Sequence, residues 1–221
     1  MTGSTPWWHP ERHADLRQGL LARARIDAAI RLWMAERDFL VVDPPGLQRS
    51  PGNETHLHAF ATTMVGNDGA GQAMYFHTSP EFTMKKLLAA GEERIASLQH
   101  VWRNRERSAL HHPEFTMLEW YRAGEPYDAI IADTLAIIRL AAETTGIKQF
   151  EFRRRTCDPR AEAERVSVAD AFRQFADIDL LATMNEEGVP DGEMLADQML
   201  AQGMSVPEDR SWSYLFSLIL M

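Results

Sequence analysis

Cysteine is nearly missing from this sequence of 221 residues: Cys157 stands alone. A single thiol excludes an internal disulfide framework and any multi-cysteine zinc site within one chain, and it suits a reducing compartment, the cytoplasm. No run of about 18 apolar residues is present to span a bilayer. The opening stretch MTGSTPWWHPERHADLRQG lacks the apolar centre of a secretory leader. Positive charge is also in deficit, with 23 Lys and Arg against 32 Asp and Glu, a formal charge of -9. That balance argues against broad nucleic-acid binding by phosphate neutralisation, although the local cluster WRNRER can still meet a small anion. Neither GxGxxG nor a GxxxxGKS or GxxxxGKT loop occurs, so any nucleotide has to be held by side chains on strands.

What is present reads as globular, 45% hydrophobic and 25% charged. Ile26, Ile30 and Trp33 recur at helical spacing and predict a helix over about 15–37; FLVVDPPGL then predicts a short strand over 39–42, stopped by Pro44 and Pro45. LHAFATTM and QAMYFHT, joined by VGNDGAG, predict a hairpin. TSPEFTMKKLLAAG predicts a short helix capped by Ser79, with Pro80 at its first position and Glu81 in its first turn, closing at Gly91. IASLQHVWR and PEFTMLEWYR predict a second antiparallel hairpin around a charged loop. A helix is predicted over 127–145, its apolar stripe drawn through Ile131, Leu135, Ile138 and Ala142. Residues 148–166 read as an irregular connection, followed by a helix capped by Ser167 and two more helical segments. The order implies an α+β fold, an antiparallel sheet flanked by helices, and not a doubly wound one.

The stretch HHPEFTMLEWYR carries the chemistry. Alternation puts Phe115, Met117, Glu119 and Tyr121 on one face of a strand, where an unpaired carboxylate is costly unless the face is wet or meets a cation. Pairing with the preceding strand brings Arg103 to the same surface. Two readings stand open. Arg103 grips a phosphate while Phe115 stacks a base and Glu119 holds an amine, or Arg103 and Glu119 form a plain cross-strand ion pair. Glu81 either complements a helix dipole or joins Glu119 around an ammonium; the same two carboxylates also suit general acid and base work. His56 with His58, and His111 with His112, lack a third partner at metal-ligand spacing, so no metal site is expected within the chain.

FHTSPEFTMKKLLAAG followed by VWRNRERSALHHPEFTMLEWYR resembles the catalytic core of class II lysyl-tRNA synthetases, and within that group the ligases that attach β-lysine to elongation factor P. PEFTMLEWYR is similar to the second class II motif and FLVVDPPGL to the first; the likeness covers about residues 15–146, with 147–221 as a helical insertion or connection of one catalytic domain. It implies ATP-dependent activation of a lysine-like amino acid as an adenylate and its transfer to a lysine of elongation factor P. By the same resemblance Arg103, Asn104, Arg105, His112 and Phe115 fall at ATP-contacting positions, with Arg103 on the α-phosphate, and Ser79, Pro80, Glu81, Glu119 and Tyr121 at the lysine pocket. ATP and Mg²⁺ are the implied cofactors, a homodimer through the first motif the implied assembly, and tRNA and membranes are not expected partners. Two alternatives remain, a lysyl-tRNA synthetase catalytic domain charging tRNA and an inactive dimerising paralogue. Arg105 replaces the usual glutamate of an Arg-Asn-Glu run, His112 replaces an asparagine, and the glycine-rich third motif is not found. The sequence ends inside the apolar run WSYLFSLILM, which reads as a fold incomplete at its C-terminus, with the ligands for Mg²⁺ expected beyond it.

Overall fold

The computed structural model describes residues 5–185 and 187–220. They form two compact units, one up to Ala161 and the other from Glu162.

In the first unit, helix α1 (Pro10–Ala35) starts earlier than the predicted residue 15 because Pro10 sits in its first turn, where a missing N–H costs nothing. Strand β1 (Leu40–Val41) pairs in parallel with β5 (Arg94–Trp102), and β5 pairs antiparallel with β6 (Glu114–Arg122), giving the order β1-β5-β6. A second sheet is built from β2 (Leu47–Gln48), β3 (Ala61–Val65) and β4 (Gly71–Phe76), of which β3 and β4 are the predicted hairpin. Helix α2 (Glu81–Ala89) begins one residue later than the cap pattern predicts. Helix α3 (Tyr127–Thr145) matches its predicted bounds.

One face of β5 and β6 is the core. Ala96, Leu118 and Trp120 pack there with Ile30, Trp33 and Met34 of α1 and Ile137 of α3. The buried stripe of α3 keeps the predicted Ala142 but is otherwise turned: Asp133 and Ile137 are buried, whereas Ile138 is exposed. A charge causes the turn, since Asp133 accepts two hydrogen bonds from Arg122, at 2.6 and 3.0 Å, and is drawn into the core-facing stripe. The stretch read as irregular contains a hairpin, β7 (Phe150–Phe152) with β8 (Arg155–Cys157). Its turn residues Arg153 and Arg154 both lie at positive φ, 49° and 66°, a conformation that Asn-Gly normally signals and Arg-Arg conceals.

The second unit comprises α4 (Val168–Ala176), a 3-10 turn (Leu181–Thr183), α5 (Gly192–Ala201) and α6 (Trp212–Leu220) around Phe172, Ile178, Leu195, Met199 and Leu215. Ser167 caps α4 as predicted, its hydroxyl accepting the Asp170 amide. Asp191 caps α5 in the same way. Phe216 stacks between Phe172 and Trp212, with ring centroids 5.1 and 5.0 Å away.

Candidate active site

The other face of the β5–β6 pair is the candidate site. Ser97 lies opposite Glu119 and Val101 opposite Phe115 in the ladder, so the odd-numbered residues of both strands share this surface. Ile95, Ser97 and Val101 are fully buried and make a rigid floor. Above it runs the segment Thr78–Ser79–Pro80 that leads into α2.

Glu119 is held from two directions. One carboxylate oxygen accepts the Ser79 hydroxyl and the other the Tyr121 hydroxyl, each at 2.6 Å. The Ser79 oxygen in turn accepts the Glu81 amide at 3.1 Å, which ties the start of α2 to the strand. Burial first, and then the hydrogen bond to Glu119, push the Tyr121 phenol well above its ordinary range, so it stays a proton donor at any physiological pH. Both the burial and the negative neighbour disfavour a phenolate.

Arg103 does not pair with Glu119. Its Nε donates to the Thr78 carbonyl at 3.2 Å, and its guanidinium carbon sits 5.4 Å from the centroid of Phe115. The cross-strand ion pair is thereby corrected: Glu119 already has two neutral donors, and Arg103 reaches the segment above the floor. A guanidinium beside a ring, with no carboxylate bonded to it among the described residues, offers two parallel donors to an anion.

Other predicted positions are engaged elsewhere. The Asn104 side chain accepts the Arg105 amide at 2.9 Å, stabilising a positive φ of 67° at Arg105, and the Asn104 amide donates to the His58 carbonyl. Arg105 is exposed. The His112 ring lies 2.8 Å from the Glu114 carbonyl and lines, together with Phe115, an open cavity that also includes Arg23, Asp27 and Leu98. The structure thus gathers Arg103, Phe115, Ser79, Glu119 and Tyr121, with Pro80 and Glu81 at the adjoining helix start. It leaves Asn104, Arg105 and His112 at the margin. Among the described residues no three His, Cys, Asp or Glu side chains converge to hold a metal ion.

Three contributors have no role expected from the sequence. Thr78 fixes Arg103 through its carbonyl and anchors to the Pro51 carbonyl through its hydroxyl, at 3.1 Å. The loop Pro51–Glu54, with Thr78, Ser79, Glu81 and Phe82, lines a cleft of about 230 Å³. That volume is below the roughly 300–1,000 Å³ of pockets for drug-sized ligands and suits something the size of an amino acid. Lys85, one helical turn after Glu81, pairs with it at 2.5 Å. The i, i+4 spacing in EFTMK was the one available signal for that pair.

The chain belongs to the family of tRNA synthetases class II (D, K and N), whose model matches residues 6–211. Among curated proteins the chain is similar to elongation factor P--(R)-beta-lysine ligases. It is 38% identical over 152 residues to that of Vibrio parahaemolyticus, covering 68% of this chain and 46% of the relative. With the Vibrio cholerae ligase it shares 43% over 122 residues, 55% of this chain and 38% of the relative. With the Pasteurella multocida ligase it shares 33% over 214 residues, 96% and 59% respectively. The chain spans about half the length of the curated relatives it matches. Among the described residues no helix is long and apolar enough to cross a membrane.

Proposed function

We propose that this chain carries the first part of an ATP-dependent ligase active site that activates β-lysine, or a closely similar diamino acid, and passes it to a lysine of elongation factor P. The observation that supports it is the shared sheet face: Arg103 stacked near Phe115 at one end, and Glu119 fixed by Ser79 and Tyr121 further along β6. The names of the similar ligases supply the substrate and the acceptor.

In this reading an oxygen of the amino-acid carboxylate attacks the α-phosphorus of ATP. A bond forms between them, the bond to the β-phosphate bridging oxygen breaks, and pyrophosphate leaves with the electron pair. Arg103 neutralises charge growing on the α-phosphoryl oxygens, and Phe115 stacks the adenine. Glu119, locked by two donors, keeps its remaining lone pairs for the substrate ammonium. The amine of the acceptor lysine then attacks the acyl carbon, forms an amide and expels AMP, releasing a proton. Magnesium accompanies ATP in this class of reaction and would bind partly through the nucleotide's phosphates.

Assembly and location follow the same reading: a cytoplasmic homodimer formed through the first motif. Leu16, Leu20 and Leu21 on the first half of α1 are exposed, which supports a partner there. The decisive experiment is ATP–pyrophosphate exchange in a chain extended to the length of its relatives, with β-lysine and α-lysine and with Arg103→Ala. The variant is expected to lose exchange by about 100- to 1,000-fold, the usual effect of removing one preorganised donor. Exchange near the wild-type rate refutes the role of Arg103. Charging of tRNA in place of elongation factor P assigns the chain to a synthetase instead.

A further inference from the structure

Glu81 lines the cleft beside Ser79, and its carboxylate is paired within its own helix. Lys85 sits one turn along α2 and sets its ammonium 2.5 Å from a Glu81 oxygen. The Ser79 hydroxyl bonds both the Glu81 amide and Glu119, so the Glu81–Lys85 pair stands beside the proposed amine site. The charge of Glu119 acts on Lys85 as well as that of Glu81, and the charge of Glu81 acts on Tyr121. Glu81, Lys85, Glu119 and Tyr121 are therefore one electrostatic group.

A primary ammonium on a flexible four-carbon stem is also what lysine and β-lysine carry at their side-chain end. We propose that Lys85 is an intramolecular stand-in for a substrate amine: with the cleft free of ligand it neutralises Glu81, and a diamino acid has to displace it to engage that carboxylate. This rests on the reading of Glu81 and Glu119 as amine ligands given above. Its side chain is 56% exposed and free to swing outward, whereas Glu119 is fixed on both oxygens. An exposed i, i+4 ion pair contributes little and is cheaply broken, so the stand-in competes without closing the site. A ligand that brings an ammonium repays the loss, because it offers Glu81 the same charge. A neutral analogue leaves Lys85 in place. Lys85 is in this sense an internal competitor that sets how tightly the cleft holds a cation and leaves apolar analogues unaffected.

The test is calorimetric binding of L-lysine, β-lysine and norleucine to the chain extended to the length of its relatives, as wild type, Lys85→Met, Glu81→Gln and the double variant. Methionine keeps the unbranched stem and the helix propensity and removes only the charge. Lys85→Met is expected to bind both lysines about two- to fivefold more tightly, the scale of one exposed ion pair, with norleucine unchanged. The gain is expected to vanish in the Glu81→Gln background, as a cycle requires for residues acting on each other. If the wild type binds lysine and Lys85→Met binds it equally or more weakly, or if the gain survives Glu81→Gln, the stand-in is overturned while the amine reading stands. If no variant binds either lysine, both are overturned.

Discussion

In the proposed function recognition turns on Glu119, whose two oxygens are oriented by Ser79 and Tyr121. Hydrogen bonds to a charged group contribute about 1.5–3 kcal/mol, so Glu119→Gln in the full-length protein is expected to raise the Michaelis constant for the diamino acid by roughly 10- to 100-fold. An unchanged constant contradicts the assignment. Tyr121→Phe keeps the ring and removes one orienting donor, and a smaller loss, about tenfold, is expected. Gly52 is a second sensitive residue. Its φ is 148°, and a Cβ there would stand 3.0 Å from the Thr78 hydroxyl, so Gly52→Ala strains the cleft wall against the segment that holds Arg103. Alternation along PEFTMLEWYR made the shared face legible, since a strand period of two needs no tertiary knowledge. The partners were not legible. Which oxygen meets Ser79, and that Arg103 bonds the Thr78 carbonyl, depends on how a segment from a different element lies across the strand.

At the scale of elements, β6 is pinned at its end by ions. Arg122, with a side chain 11% exposed, bonds Asp133 of α3 and Glu125, and its guanidinium lies 4.8 Å from the Phe39 ring. Removing one partner of a buried pair leaves the other uncompensated, so Asp133→Ala is expected to destabilise the first unit by about 3 kcal/mol, measured by urea unfolding. A change below 0.5 kcal/mol would show the pair to be dispensable. The hydrogen bond from Arg122 holds the Glu125 carboxyl below its ordinary range, with burial opposing and Arg94 assisting. Its contribution is therefore present above the unfolded carboxylate range and is lost as pH falls through the lowered value. Glu125→Gln is expected to flatten that part of the acid unfolding curve. Helix bounds were largely readable from periodicity, as α3 illustrates; its buried face was not, because a hydrophobic count passes over a carboxylate summoned by an arginine on another element. The β7–β8 hairpin escaped for a related reason, its turn being made by two arginines in a conformation that favours glycine and asparagine.

At the scale of the whole molecule, each unit has its own core. In the second, Gly192 starts α5 where a Cβ would lie 1.9 Å from the Arg210 carbonyl, so Gly192→Ala is expected to lower the stability of that unit by about 1–3 kcal/mol or shift α5. The first unit holds the candidate site, and the family likeness recognised from its motifs rests on several segments in order rather than on one short pattern. The central claim is that one sheet face serves both halves of an adenylate. It is tested most directly by a crystal structure with a non-hydrolysable lysyl-sulfamoyl adenosine. The account predicts adenine on Phe115, the sulfamoyl oxygens at Arg103 and the side-chain ammonium at Glu119. A ligand whose adenine lies away from Phe115 and whose ammonium leaves Glu119 bonded only to Ser79 and Tyr121 would contradict it.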